Sequence, residues 1–342
     1  MAIASDSPRY VGRLFFNLFL LSIPFLIIIG SYVILDPFLV LYHYKTFTEP
    51  LIAIPNRDYV STQMYLNTYQ QRNYKSFILG NSRTMSFLVK DWAHYTGDNY
   101  AFHYDASGES LYGVWQKLLF IEQHNPSIKN VLIVCDSDLL KQISDSESHI
   151  GRKDPRTTGD LPFNFQLSFL KAYFSDHFYY KYIRRKITNE VTPDMAEVME
   201  TSRVYYDPVT NDLSLPDIDE EIRRDSTGFY ANNKRLQIVR KPGISKAVIG
   251  ASQLQQLVAI RNIFKRHNTN YQIVISPLYN QKQLNPADLS ILQRTFGATT
   301  IHDFSGTNEF TKYPGNYYEE SHYRPLVGRK ILKQIYGDHT TK

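Results

Sequence analysis

Four short stretches carry residue types that do chemistry. The first is Gly80-Asn81-Ser82-Arg83-Thr84, directly after the apolar run Phe77-Ile78-Leu79. A serine there is held at the carboxyl edge of a strand, and residues 84–95 are expected to form a helix whose positive end favours an anion. The Ser82 N–H could point at an oxyanion, and Gly80 permits a tight turn. The same residues also make an ordinary strand-to-helix turn with Ser82 as N-cap. The second stretch is Glu319-Glu320-Ser321-His322-Tyr323-Arg324-Pro325. A neutral imidazole takes a hydroxyl proton when a carboxylate orients its other nitrogen. Glu319, three residues before His322, is the natural orienting group. A surface-loop histidine is the plain alternative. Glu-x-x-His as a metal pattern needs to occur twice, and here it occurs once without a supporting Cys or His cluster. No metal and no cofactor are expected.

The third candidate is Gly108, after a second apolar run; its N–H would complete an oxyanion hole with that of Ser82. The fourth is Asp136-Ser137-Asp138, after a third run. A carboxylate beside an oxyanion is unfavourable, whereas Ser137 could donate a hydrogen bond there. The acids read more simply as helix caps.

These residues need a scaffold that brings them together. Phe77-Ile78-Leu79-Gly80, Tyr100 to Tyr104 and Val131 to Cys135 read as buried strands, with a helix expected over 109–124. The rhythm resumes with a helix over 251–266, a strand over 271–275, a helix over 286–296, a strand over 299–304 and a last helix over 324–336. Strands alternating with helices predict a parallel sheet covered on its faces, and parallel topology returns every strand's end to one edge. Residues 137–250, rich in charge and turn residues, read as an insertion, partly helical around 165–187. It would emerge from the carboxyl edge, where loops shape substrate access.

One stretch belongs to no such sheet. Residues 14–35, LFFNLFLLSIPFLIIIGSYVIL, carry no charge, and about 20 helical residues cross a bilayer. A cleavable signal has a shorter apolar core and a small-residue cleavage site; Asp36-Pro37-Phe38-Leu39 offers none. Residues 1–13 would be a cytoplasmic tail, because Arg9 and Arg13 precede the span. Residues 36–75 read as a membrane-proximal connector, with Pro37, Pro50 and Pro55 opposing long helices in its first part and Met64 to Arg72 helical. Residues 76–342 would form the α/β domain. The net charge of +5 over 342 residues is too dilute for nucleic acid. A single cysteine, Cys135, cannot form an internal disulfide.

Serine after strand one, glycine after strand two and an acid-x-x-His near the C-terminus together resemble the SGNH (GDSL-like) hydrolase superfamily. The likeness covers roughly residues 76–140 and 250–337. It is closest to membrane-anchored envelope proteins such as the D-alanine transfer protein of teichoic acid modification and the alginate O-acetylation proteins. The resemblance implies a flavodoxin-like three-layer sheet with Ser82 as nucleophile, His322 as general base and Glu319 as orienting acid. Ser82 and Gly108 would supply oxyanion N–H groups, with Asn81, Arg83 and Ser137 nearby. The first block reads Gly-Asn-Ser where the family usually has Gly-Asp-Ser. Asp136-Ser137-Asp138 stands where an asparagine is usual, and Glu319 replaces the usual aspartate.

Two functions from different classes follow. The first is an envelope O-acyltransferase or esterase acting on a polysaccharide, fed by a membrane O-acyltransferase or another integral membrane partner. The insertion would exclude water, with the aromatics of Tyr173 to Tyr182 stacking on sugar. The second is a non-catalytic subunit docking on a membrane O-acyltransferase or polysaccharide export machine. Either would sit in the bacterial cytoplasmic membrane, single-pass, with the N-terminus inside and the main domain periplasmic.

Overall fold

The structure is a computed structural model describing residues 7–48, 51–196 and 198–337. The start of the expected tail, residues 1–6, and Pro50 lie outside the described residues. Helix α1 (Ser7–Leu35) is exposed along most of its length, and its C-terminal turns pack on the rest of the chain through Ile28, Tyr32 and Leu35. Its segment Tyr10–Leu35 has a mean hydropathy of 2.6 and almost no buried residues. It is one N-terminal helix long and apolar enough to span a membrane.

The expected α/β sheet forms. Strands β1 (Ser76–Gly80), β2 (Ala101–His103), β3 (Asn130–Cys135), β4 (Asn270–Ile275) and β5 (Ile301–Asp303) are all parallel. They stand in the order β2-β1-β3-β4-β5. Strand alternation divides the core into two layers. Phe77, Leu79, Val131, Ile133 and Ile273 face one side, with helices α2 (Arg57–Arg72), α4 (Leu111–His124) and α8 (Ala251–His267). Ile78, Leu132, Val134 and Val274 face the other, with α3 (Val89–Thr96) and α10 (Pro325–Tyr336). Both faces are covered, which is why β1 and β3 read as continuous apolar runs rather than alternating ones.

Three features differ from expectation. Helix α2 begins at Arg57, not Met64, and buries Val60, Met64 and Tyr65 in the core. The second half of the connector is therefore packed on the domain. Asn56 caps α2 by accepting from the Tyr59 N–H (2.8 Å). Its buried first turn is stabilised by partners elsewhere: Arg57 pairs with Asp105 (2.7 Å) and Asp58 with Lys117 (2.9 Å). Second, residues 84–95 do not form one helix. A 3₁₀ turn, Ser82–Ser86, is followed at Val89 by α3. Third, β5 is not the last strand. An antiparallel hairpin, β6 (Tyr317–Glu319) and β7 (His322–Tyr323), precedes α10.

The insertion leaves β3 through α5 (Ser137–Lys141) and contributes α6 (Pro162–Phe174) and α7 (Phe178–Thr188). Phe169, Tyr173, Phe178 and Tyr182 are buried together with Tyr32 and Phe38. Three rings of the Tyr173–Tyr182 segment are thus committed to a core, while Phe174 and Tyr180 remain exposed. A different part of the insertion approaches the serine turn. Ile222, with Leu213, Leu215, Phe229 and Tyr230, packs on Met85 and Tyr318.

Candidate active site

Ser82, His322 and Glu319 meet at the carboxyl edge of the sheet. The Ser82 hydroxyl lies 2.7 Å from His322 Nε2, and His322 Nδ1 hydrogen-bonds Glu319 Oε1. With the proton on Nδ1, the ring donates to the carboxylate and presents its Nε2 lone pair to the hydroxyl. The other Glu319 oxygen accepts from the Ser321 N–H (2.7 Å) and pairs with Arg235 (2.7 Å).

Local structure explains the alignment. Gly80 adopts φ +141°, and a Cβ there would sit 2.1 Å from the Val134 carbonyl. Only glycine lets β1 end this close to β3. Asn81 then caps the turn, its side-chain oxygen accepting from the Arg83 N–H (3.2 Å). Ser82 is therefore not the cap, and the helix end expected behind it is a single 3₁₀ turn. On the partner side, Glu319 and His322 face each other directly across the two strands of the hairpin. Cross-strand partners are near neighbours in space, so the acid-x-x-His spacing is the signature of a two-residue hairpin turn. The hairpin is tied to the serine turn by the Ser86 hydroxyl, which donates to the Tyr323 carbonyl. Its other side is held by the insertion: Asn233 donates to the Tyr318 carbonyl (2.8 Å) and Tyr230 to that of Tyr317 (3.2 Å).

Two of the expected substrate-binding groups are engaged elsewhere. Asp136 is buried and caps α5, accepting from the N–H groups of Asp138 (2.9 Å) and Leu139 (3.0 Å). Its other oxygen accepts from the Asn81 amide (2.6 Å) and pairs with Arg83 (2.5 Å). The buried Asn81 side chain is held in this network. Arg83 has one guanidinium nitrogen fixed by it. Asp136 thus braces the serine turn from β3. Ser137 makes no hydrogen bond to the Ser82–His322–Glu319 chain among the described residues; it lines a separate crevice with Lys141, Lys246 and Lys282. Gly108 is exposed with φ +58°. Its loop is tied to the serine turn by the Ala106 N–H, which donates to the Gly80 carbonyl (3.2 Å).

Sequence reasoning missed Arg235. It lies in the insertion, pairs with Glu319, and also reaches Glu320 (2.8 Å). Glu320 is accordingly held by Arg235, while Glu319 carries the histidine. No local pattern marks Arg235; only the fold brings residue 235 to residue 319.

Burial pushes the Glu319 carboxyl up, but the hydrogen bond and charge of His322, the Ser321 N–H and Arg235 outweigh it and hold the pKa at about 2. A carboxyl depressed on folding stabilises the native state above its unfolded value, near 4.3. That contribution fades as pH falls through the folded value. The advantage of wild type over Glu319→Gln in denaturant unfolding is expected to be full above about pH 5, on the order of 1–3 kcal/mol, and to vanish toward about pH 2. A pH-independent difference would contradict this coupling.

Chemically, the arrangement can remove a proton from Ser82 and hold the resulting imidazolium against an ionised carboxylate. Among the described residues, no group of three or more His, Cys, Asp or Glu side chains is assembled as a metal site. No protein-family model and no curated protein matches the chain.

Proposed function

We propose that the chain is a membrane-anchored, serine-dependent O-acyltransferase or esterase of the SGNH type, acting on a cell-envelope polysaccharide. The observation that carries this reading is the hydrogen-bonded chain from Ser82 through His322 to Glu319, built from elements about 240 residues apart in sequence. A structural histidine does not need a serine hydroxyl on one nitrogen and a carboxylate on the other. The strand order 2-1-3-4-5 is that of flavodoxin-like sheets, whose ligands bind at the switch point between the first and third strands. Ser82 follows β1 and Asp136 follows β3, which supports a site at that crevice.

In the proposed reaction the Ser82 oxygen attacks an acyl carbonyl while His322 takes its proton. The N–H groups of Ser82 and Gly108 hold the oxyanion. The imidazolium returns its proton to the leaving group, and a glycan hydroxyl, or water in an esterase, then attacks the acyl-serine. Transfer requires water to be kept from that intermediate. The packing of insertion residues on Met85 and Tyr318, beside the serine turn, supports such a role. Arg235 is a positioning residue. It is more than half exposed (59%), and exposed pairs contribute little. Arg235→Ala is expected to slow turnover at most about tenfold, far less than loss of Glu319, and high salt should shrink the difference.

The membrane reading places α1 in a bacterial cytoplasmic membrane, with the N-terminus inside and the domain on the periplasmic side. Arg9 and Arg13 before the span support it. An integral membrane O-acyltransferase is the proposed acyl source. The experiment is to express Ser82→Ala in place of wild type and follow polymer acylation; unchanged acylation would remove the catalytic role.

One observation favours the second reading, a non-catalytic docking subunit. Asp136 occupies the block where an oxyanion donor is usual and spends its oxygens bracing Asn81 and Arg83. Turnover of an activated ester that depends on His322 discriminates the two.

A further inference from the structure

We propose that the hairpin of α6 and α7 is a foot resting on the anionic lipid surface from which α1 emerges. The inference rests on reading α1 as a membrane span.

The hairpin touches the end of the apolar helix itself. The Ser31 and Tyr173 hydroxyls lie 2.8 Å apart, and the Tyr32 and Tyr173 rings are 5.2 Å apart. Just beyond the helix, Phe38 stacks on Phe178 at 4.8 Å. Ser31 lies one turn before the helix ends at Leu35. An apolar helix of 26 residues is about 39 Å long, against a hydrocarbon core of about 30 Å. Its last turn therefore lies at headgroup depth, and an element bonded to Ser31 lies there too.

The outward surface of the hairpin has the composition such a position requires. Phe163 and Ile187 are 70% and 78% exposed, and Leu161 and Tyr180 are exposed as well. In α7, Phe178 and Tyr182 face inward, while Tyr180, Arg184 and Ile187 recur at helical spacing on the other side. Residues 162–188 hold five cations, Lys171, Lys181, Arg184, Arg185 and Lys186, and one carboxylate, Asp176; just beyond them Glu190 pairs with Arg184 (3.6 Å) and Asp194 lies beside Lys181 and Arg184. With these two carboxylates included, the five cations still outnumber the acids and leave this surface positive. Exposed apolar residues interleaved with lysine and arginine are the signature of an interfacial helix on anionic lipid. The positive-inside count is not affected, since these residues lie far beyond the span's flanks. A second membrane contact would stop the domain swivelling on α1 and fix the height of Ser82 above the bilayer.

The test uses the full chain in phosphatidylglycerol-rich vesicles. A polarity-sensitive fluorophore is attached at Phe163→Cys, Ile187→Cys, Leu21→Cys or Lys330→Cys, and quenching by nitroxide-labelled lipid is measured. The native Cys135 is buried and escapes labelling. Quenching at 163 and 187 should exceed that at 330, on the exposed side of α10, by at least about threefold. The excess should fall in phosphatidylcholine vesicles and on changing Lys181, Arg184, Arg185 and Lys186 to glutamine. Quenching at 21 with none at 163 and 187 overturns the foot while leaving the span intact. Absence of quenching at 21 overturns both. Undiminished quenching in phosphatidylcholine overturns the anionic headgroup as the partner.

Discussion

Ser82→Ala is expected to lower acyl transfer, or hydrolysis of an activated acetyl ester, by about 10³-fold or more. Among the described residues, the Ser82 hydroxyl is the only nucleophile hydrogen-bonded to His322. His322→Ala should cost a similar factor, and the double variant little more than either single one, because members of one proton chain are not additive. Folding should barely change. Ser82 is partly exposed and its side chain has one hydrogen bond, worth about 1 kcal/mol. Rates measured on protein with unaltered unfolding separate a chemical role from a structural one. Additive losses, or an active Ser82→Ala variant, would contradict the proton chain.

The second large effect concerns a residue that touches no substrate. Gly328→Ala should destabilise the domain by about 3 kcal/mol or more. A Cβ there would lie 1.8 Å from the Ser86 carbonyl oxygen and 2.6 Å from its carbon. That oxygen belongs to backbone, so no flexible side chain can yield. Either α10 or the Ser82–Ser86 turn must move. His322 enters α10 through Tyr323 and Arg324, and the Ser86 hydroxyl holds the Tyr323 carbonyl. Movement of either element therefore opens the Ser82–His322 contact. A displacement of about 1 Å costs roughly 10² in rate. Denaturant unfolding checks the stability loss, and turnover of the fraction that stays folded checks the geometry. Full stability in the variant would contradict the packing of α10 on the serine turn.

Much of the scaffold was legible because its signals are local. Ile78, Leu132 and Val274 lie in short apolar runs that can only be strands buried on both faces, and α8, α9 (Pro286–Phe296) and α10 lie within a residue or two of the expected ranges. The first turn of α2 was not legible. Arg57, Asp58, Ser61 and Thr62 look like surface residues until Asp105 and Lys117 arrive from other elements. The hairpin at 317–323 was missed because strands of three and two residues carry no periodicity. What holds them is Asn233, Tyr230 and Ser86, all distant in sequence. At the site, Ser82, His322 and Glu319 were legible as residue types in the right order. The bracing of Asn81 by Asp136 was not legible, because the two meet only when β1 and β3 pair. The burial of Tyr173, Phe178 and Tyr182 was not legible for the same kind of reason: aromatic density marks a surface or a core alike, and the end of α1 supplies the core.

The most direct test of Ser82 as a nucleophile activated by His322 is labelling by a fluorophosphonate, with the modified residue located by peptide mass spectrometry. The proton chain predicts one adduct, on Ser82, formed by wild type and absent from His322→Ala. Labelling of Ser82 that survives the loss of His322, or an adduct on any other residue in its place, would contradict it.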